Sequence, residues 1–433
     1  MPQIDETHDP RRKSWVGSAN RPGADFPIQN LPFGVFEANG RPGRIGVAIG
    51  EEILDLTNVA DLIGDEARPA AGACRADRLN RLMSLDRREV RALRRGLSDR
   101  LSDAAHESEL RPHLIPAAAA RMRLPAEIGD YTDFYASIFH ATNVGRLFRP
   151  DNPLLPNYKW VPIAYHGRAS SIVVSGEPVR RPVGQALPPG DSQPVMRPSR
   201  ALDYELELGA YVGLGSRPGQ PIAIGEAGDH LFGVSLLNDW SARDIQAWEY
   251  QPLGPFLSKN FATTVSPWVV TMDALEPFRR APRPRPDGDP EPLPYLSSLD
   301  DRAHGALAIR MEALISSSRM RDEGLDPAPI SRADASDLYW TLSQMLTHHA
   351  SGGCVLRPGD LMGSGTVSGP DQSTAGCLLE ITSRGADPVR LPTGEMRSFL
   401  EDGDEVVLTA RCEADGFIGI GLGECRGVVA PAL

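Results

Sequence analysis

The chain has 433 residues, of which 41% are hydrophobic and 24% charged, so it can bury a large core and is long enough for one large domain plus a smaller one. Its formal net charge of −12 opposes a polyanionic partner such as nucleic acid, and no basic patch interleaved with aromatic residues offsets that. No run approaches the roughly 20 apolar residues of a membrane span. The scattered Cys74, Cys354, Cys377, Cys412 and Cys425 form no CxxC pair and predict free thiols in a reducing compartment.

The opening MPQIDETHDPRRKSW has no apolar stretch of the signal-peptide kind, which makes a cytoplasmic location the expectation. Residues 31–57 alternate short apolar runs with turn signals at Asn39-Gly40 and Gly50, the spacing of a small antiparallel β-domain. Over residues 84–103, Val90, Leu93, Leu97 and Leu101 recur at intervals of three and four and predict one buried helical stripe. The intervening arginines (Arg87, Arg88, Arg91, Arg94, Arg95) are expected on its solvated face, with Asp86, Glu89, Asp99 and Asp103 among them. Residues 112–125 read as a connector, dividing the chain into an N-terminal domain over 1–120 and a larger one over 121–433. The larger part shows strand-sized segments at 171–174, 203–212, 230–237 and 405–409, and a helix is predicted over 336–350 with Gly352-Gly353 as its stop. The Pro-rich stretch 276–297 is expected to be a surface excursion.

The segment Leu202-Asp203-Tyr204-Glu205-Leu206-Glu207-Leu208 alternates strictly, so Asp203, Glu205 and Glu207 share one strand face. Two carboxylates at i and i+2, roughly 7 Å apart, can hold a divalent cation between them; equally, they can be the wet face of an edge strand. Asp239 ends an apolar strand, where a carboxylate must be paired, hydrogen-bonded or metal-bound. Asp133 supplies a fourth oxygen donor. With no cysteine in the set, Mg²⁺, Ca²⁺ or Mn²⁺ suits these residues better than zinc. His140 lies seven residues after Asp133, on the same face if the segment is helical, and is either a structural histidine or a base acting on nearby water. Arg243, Gln246 and Tyr250 fall on one face of a predicted helix, which is an ordinary polar face or a binding surface for an anion and a developing oxyanion. Lys259 follows an apolar run and needs an anionic partner if buried. There is no Gly-x-Ser-x-Gly elbow and no P-loop, while Gly363-Ser364-Gly365-Thr366 suits a substrate-lining turn with Thr366 as donor.

Several blocks together resemble the fumarylacetoacetate hydrolase family: DFPIQNLPFGVF (25–36), DYTDFY (130–135), HATNVG (140–145), YHGRASSIVVSG (165–176), LDYELEL (202–208), NDWSARDIQAWEYQPLGPFLSKNF (238–261), LRPGDLMGSGTVSG (356–369) and FLEDGDEVVLTA (399–410). The likeness covers essentially the whole chain. It implies an α+β, predominantly β fold, with a small N-terminal SH3-like β-barrel followed by a large mixed β-roll catalytic domain, working as a homodimer. It implies hydrolysis of fumarylacetoacetate to fumarate and acetoacetate, the last step of tyrosine and phenylalanine degradation, with Ca²⁺ and/or Mg²⁺ as cofactor. Carried over by residue, the metal ligands are Asp133, Glu205, Glu207 and Asp239, and Asp239, Lys259 and Thr263 match a second cation position. His140 is the water-activating base oriented by Glu380; Arg243, Gln246 and Lys259 stabilise the oxyanion; Tyr135, Arg149, Tyr165, Gln246, Tyr250 and Thr366 hold substrate. Ala262 stands where the family usually has Gly, and a positive φ there would strain the second cation position. An acylpyruvate hydrolase of the same superfamily, or a non-catalytic metal-binding scaffold, are the competing expectations.

Overall fold

The alternating apolar residues of the N-terminal region pair as expected. In the computed structural model, which describes residues 2–38 and 40–433, strands Phe33–Ala38, Arg41–Ile49 and Glu52–Asp55 form an antiparallel meander with Val35 opposite Ile45 and Val47 opposite Leu54. The expected Asn39-Gly40 turn includes Asn39, which lies outside the described residues. Leu114–Pro116 adds to one edge of the meander and Arg121–Arg123 to the other. These two edges are only a few residues apart in sequence. Five residues reach at most about 18 Å, less than the ~19 Å width of a flat five-stranded sheet, so the sheet must curl. No ladder joins its edges among the described residues: the sheet is open, and the SH3-like barrel expected from the resemblance is not formed. Each edge strand is three residues long, which leaves little ladder with which to close.

The helix Arg87–Ser102 is capped by Asp86 in a capping box with Glu89, and it buries Val90, Leu93, Leu97 and Leu101. Its arginines are not a uniformly solvated face. Arg94 is buried and donates to the carbonyls of Gln29 and Asn30, while Arg87 and Arg91 pair with Asp273 at 2.8 and 2.6 Å. Asp273 lies in the larger part of the chain, so this face anchors the N-terminal region to it.

The site is built on a mixed eight-stranded sheet. Its main path runs Ala164–His166, Tyr131–Phe134, Leu361–Gly363, Leu206–Val212, Leu231–Asp239, Thr263–Val265 and Ile172–Val174, with Val270–Thr271 also pairing to Leu231–Asp239. A second sheet (Ala328–Asp334, Ile309–Ser316, Glu405–Cys412, Ile420–Ala430 and Val179–Arg180) packs on it through a shared core containing Leu206, Leu208, Trp240, Met311, Leu408 and Leu422. The result is a mixed α+β fold, mostly β, with curled sheets. Among the described residues no helix is long and apolar enough to cross a membrane.

One local expectation changes. The helix predicted over 336–350 is a 3₁₀ turn, Ala335–Asp337, followed by Leu342–Ala350. The break comes where Trp340 is fully buried and Thr341 starts a new capping box with Gln344. The Pro-rich stretch runs over the surface as expected, mostly exposed or half-buried, and is pinned there: Arg279–Arg280 pairs with Ala306–Leu307, and Asp289 meets Lys159.

Candidate active site

The alternating segment 202–208 does not lie at a sheet edge. Leu206–Val212 is flanked by Leu361–Gly363 and Leu231–Asp239, and every one of its residues is buried, which removes the wet-face reading of Glu205 and Glu207. Tyr204 and Glu205 interrupt the ladder, so Asp203 belongs to a separate short strand that pairs with Ser241–Ala242.

Sheet register assembles the carboxylates. Asp133 lies opposite Gly363 on one side and Tyr165 on the other, while Asp239 lies opposite Thr263. One carboxylate oxygen each of Asp133, Glu205 and Asp239 falls within 4.8 Å of the other two, and all three side chains are buried. Glu207 borders Asp133 rather than joining that triangle. A Cβ built on Gly363 would stand 2.4 Å from Asp133 Oδ1 and 3.0 Å from Glu207 Oε2, so both carboxylates flank the space this glycine leaves open. Glu207 is 0% exposed and, among the described residues, neither of its oxygens has a hydrogen-bond partner.

The charges do not balance within the chain. Lys259 Nζ donates to Asp239 at 2.8 Å and to Glu205, and Arg243 Nη1 meets Glu205 at 2.8 Å while its Nε bonds Asp203. Four carboxylates thus face two cations, one of them shared with Asp203, and the cluster is short of at least two positive charges. Burial and then the neighbouring Asp239 push the carboxyl of Asp133 well above its usual range, and burial and then Asp133 do the same to Glu207. Burial also works on Glu205, but Lys259 and Arg243 outweigh it and hold that group below its ordinary value. Orphaned oxygens, a glycine cradle and unbalanced negative charge are what an oxygen-ligated divalent cation requires, so the donor set fits such an ion.

Asp239 is heavily committed: Tyr165 Oη reaches Oδ2 at 2.6 Å and Thr263 Oγ1 reaches Oδ1 at 2.8 Å, in addition to Lys259. Ala262 is not among the residues with positive φ, so the change from glycine carries no backbone strain.

His140 and Asp133 do not share a helix face. Asp133 is on the strand Tyr131–Phe134, and Ser137 then caps a helix, Ile138–Phe148, by accepting from the His140 amide. His140 Nδ1 bonds Glu380 Oε2 at 2.6 Å, with both groups buried. Glu380 also accepts from Asn143 at 2.9 Å, Ser368 at 2.9 Å and Cys377 at 3.2 Å. Burial alone would raise the Glu380 carboxyl, but the adjacent His140 and these donors bring it below its usual value. The Tyr135 and His140 rings pack nearly perpendicular, at 82°, with centroids 5.2 Å apart.

These groups face a cavity of about 470 Å³, lined among others by Tyr135, Arg149, Tyr165, Arg243, Gln246, Tyr250, Lys259 and Thr366 as well as Asp133, His140 and Glu205. The volume is that of a small-molecule site. Arg243 Nη1 donates to Gln246 Oε1 at 3.1 Å on the helix Arg243–Glu249, and the Tyr250 ring meets that of Phe148 at a tilt of 51°. Thr366 Oγ1 and Arg149 Nε are buried without hydrogen-bond partners among the described residues. Glu207, Glu380, Asp239 and Thr263 do not line the cavity but stand behind it. Sequence reasoning missed Gly363, Asn143 and Ser368: the glycine and the serine lay inside a run read as a turn, and nothing in a polar residue on a helix announces a bond such as that of Asn143 to a carboxylate 237 positions away.

Residues 29–125 match the family model described as fumarylacetoacetase N-terminal, and residues 131–430 match that described as fumarylacetoacetate (FAA) hydrolase C-terminal. The chain belongs to the fumarylacetoacetate hydrolase family. Among relatives in this family, fumarylacetoacetases from Bos taurus and Homo sapiens are each 48% identical over 419 residues, covering 95% of this chain and 97% of the relative. The solved fumarylacetoacetate hydrolase from psychrophilic Exiguobacterium antarcticum matches 93% of this chain and 99% of its own at a TM-score of 0.51 and 16% identity, a likeness of fold.

Proposed function

We propose that this chain hydrolyses the carbon–carbon bond of 4-fumarylacetoacetate to give fumarate and acetoacetate, the step that closes tyrosine and phenylalanine degradation. The observation that carries the reading is the buried His140–Glu380 pair, opening on the same cavity as the carboxylate cluster. Near-full-length similarity to fumarylacetoacetases supports the substrate.

In this reading Asp133, Glu205, Glu207 and Asp239 hold a divalent cation, Ca²⁺ and/or Mg²⁺, with Asp239, Lys259 and Thr263 as a second position. When bound, the ion supplies Lewis acidity toward a 1,3-diketo unit and countercharge for an enolate. His140 Nδ1 is engaged by Glu380, which leaves Nε2 to take a proton from water. The hydroxide adds to the substrate carbonyl, and Arg243, Gln246 and Lys259 stabilise the oxyanion. One such donor is typically worth about 3–4 kcal/mol. When the C–C bond breaks, its electron pair stays on the acetoacetate carbon, which then takes up a proton. Tyr135, Arg149, Tyr165, Tyr250 and Thr366 hold and orient the substrate. Division of the chain near residue 120, homodimer formation and a cytoplasmic location belong to the same reading.

The test is turnover of fumarylacetoacetate with and without a chelator, with an acylpyruvate assayed in parallel. Chelator-sensitive turnover of fumarylacetoacetate is expected. Preference for the acylpyruvate would reassign the substrate, and inactivity on both after adding back Ca²⁺ or Mg²⁺ would leave only a binding role.

A further inference from the structure

Asp203 shares the LDYELEL segment with Glu205 and Glu207, yet it does not join the carboxylate cluster. It is 0% exposed and accepts four hydrogen bonds from three parts of the chain. Oδ1 takes the amides of Leu378 at 2.8 Å and Tyr204 at 2.9 Å; Oδ2 takes the amide of Leu379 at 2.9 Å and Arg243 Nε at 2.9 Å.

Two of these bonds cap a helix that cannot cap itself. The single turn Leu378–Ile381 begins at Cys377, whose side chain makes no capping bond. Its first two amides are orphans by helix geometry, and Asp203 satisfies both from a distant segment. Glu380 is the next residue on this turn, so the cap sets where its carboxylate stands relative to His140. The fourth bond holds Arg243, whose Nη1 reaches on to Glu205 and Gln246. Arg243 makes no hydrogen bond of its own to the turn. One buried carboxylate therefore joins the arm that carries Glu380 and His140 to the arm that carries Arg243 and Gln246.

We propose that Asp203 is a positioning residue for the reaction, holding the water-activating pair and the oxyanion-stabilising arginine in register with each other. This rests on the roles given to Arg243, Glu380 and His140 above. A misplacement near 1 Å costs on the order of 10²-fold in rate. Backbone bonds from Leu206 to Gly376 and from Arg243 to Ala201, each 2.9 Å, also link these segments, but among the described residues Asp203 is the side chain that bonds both the turn's first amides and the Arg243 guanidinium.

The experiment is steady-state kinetics of Asp203→Asn, alone and combined with Glu380→Gln and with Arg243→Lys. Asparagine keeps the shape but turns two donors toward donors. A fall in kcat of about 100-fold is expected with KM within about threefold. Each double variant should be no worse than its poorer single variant by more than about threefold, because the residues act as one unit. Independent multiplicative losses, or a loss confined to KM, would overturn the proposal. A second measurement needs neither turnover nor a folded Asp203 variant: hydrogen exchange across residues 377–382 in the wild-type chain and in Arg243→Lys. Loss of the Nε bond should speed exchange at Leu378 and Leu379, and unchanged exchange there would overturn the coupling. Wild-type inactivity on fumarylacetoacetate would instead sink the proposed function and leave the exchange result to judge Asp203.

Discussion

Gly363 pairs with Asp133 across a parallel ladder, at a distance where an added methyl group would stand 2.4 Å from Asp133 Oδ1. Atoms do not approach that closely, so Gly363→Ala must push Asp133, Glu207 or both out of place. Overpacking of this kind costs about 1–3 kcal/mol. A loss of divalent-cation affinity of at least about tenfold is expected, because the displaced groups are oxygen donors held within a few tenths of an ångström of their working positions. Isothermal titration with Mg²⁺ and Ca²⁺ checks it, and unchanged affinity would remove Gly363 from the site.

Glu207 is buried with both oxygens unpartnered, next to Asp133. Such a group destabilises the cation-free protein and stabilises the cation-bound one. Glu207→Gln should therefore melt at or above the wild-type temperature in chelator, and should lose the rise in Tm that cation produces. For the wild type, a ligand at 100 times its Kd contributes about 2.7 kcal/mol. Thermal melts of both proteins in chelator, Mg²⁺ and Ca²⁺ decide this. A full cation-induced shift in the variant would exclude Glu207 as a ligand.

His140 faces the cavity and holds Glu380, but it is not part of the Asp133–Glu205–Asp239 triangle. His140→Ala should keep cation affinity within about threefold while kcat falls by at least about 10²-fold, the usual scale for a lost general base. Glu380→Gln should show a smaller loss, since the imidazole remains but its orientation is weakened. Wild-type-like kcat in His140→Ala, or loss of cation binding together with activity, would move His140 to a different role.

Asp273 is buried between Arg87 and Arg91. Burial opposes its ionisation, but the two guanidiniums outweigh burial and hold its carboxyl below the ordinary value. A carboxyl with a depressed folded-state value contributes stability that is fully present above the unfolded value of about 3.9 and is lost as pH falls through the folded value. Asp273→Asn should therefore melt below wild type at neutral pH, with the gap closing only as the pH drops under about 4. A gap that is the same at pH 3 and pH 7 would show that the ion pairs do not couple folding to protonation.

The sequence by itself determined the chemistry of the parts. Alternation in LDYELEL marked extended chain, which forms two strands on either side of Tyr204-Glu205, the i, i+3, i+4 spacing of Val90, Leu93, Leu97 and Leu101 made a buried helical stripe, and Lys259 was marked as needing an anion. These are local signals, since backbone period and residue type are properties of neighbouring positions. The family blocks added the substrate and named candidate site residues, some of which line the cavity while Glu207, Glu380, Asp239 and Thr263 do not.

Only the tertiary structure decided which neighbours those residues meet. Register across the mixed sheet put Asp133 beside Gly363, and Asp239 beside Thr263, which no local period encodes. It turned Glu205 and Glu207 from a wet edge into a buried cluster, because the strand that contains Glu207 and follows Glu205 is sandwiched between two others. It separated Asp133 from His140 by a strand-to-helix junction and left the N-terminal sheet open. It also sent Asp203 to cap a turn some 175 positions away. Long-range hydrogen bonds and burial depend on how sheets stack, and that is set by the sum of all packing contacts rather than by any one stretch of sequence. The partnerless oxygens of Glu207, and the glycine beside them that leaves room for an ion, became visible only at that level.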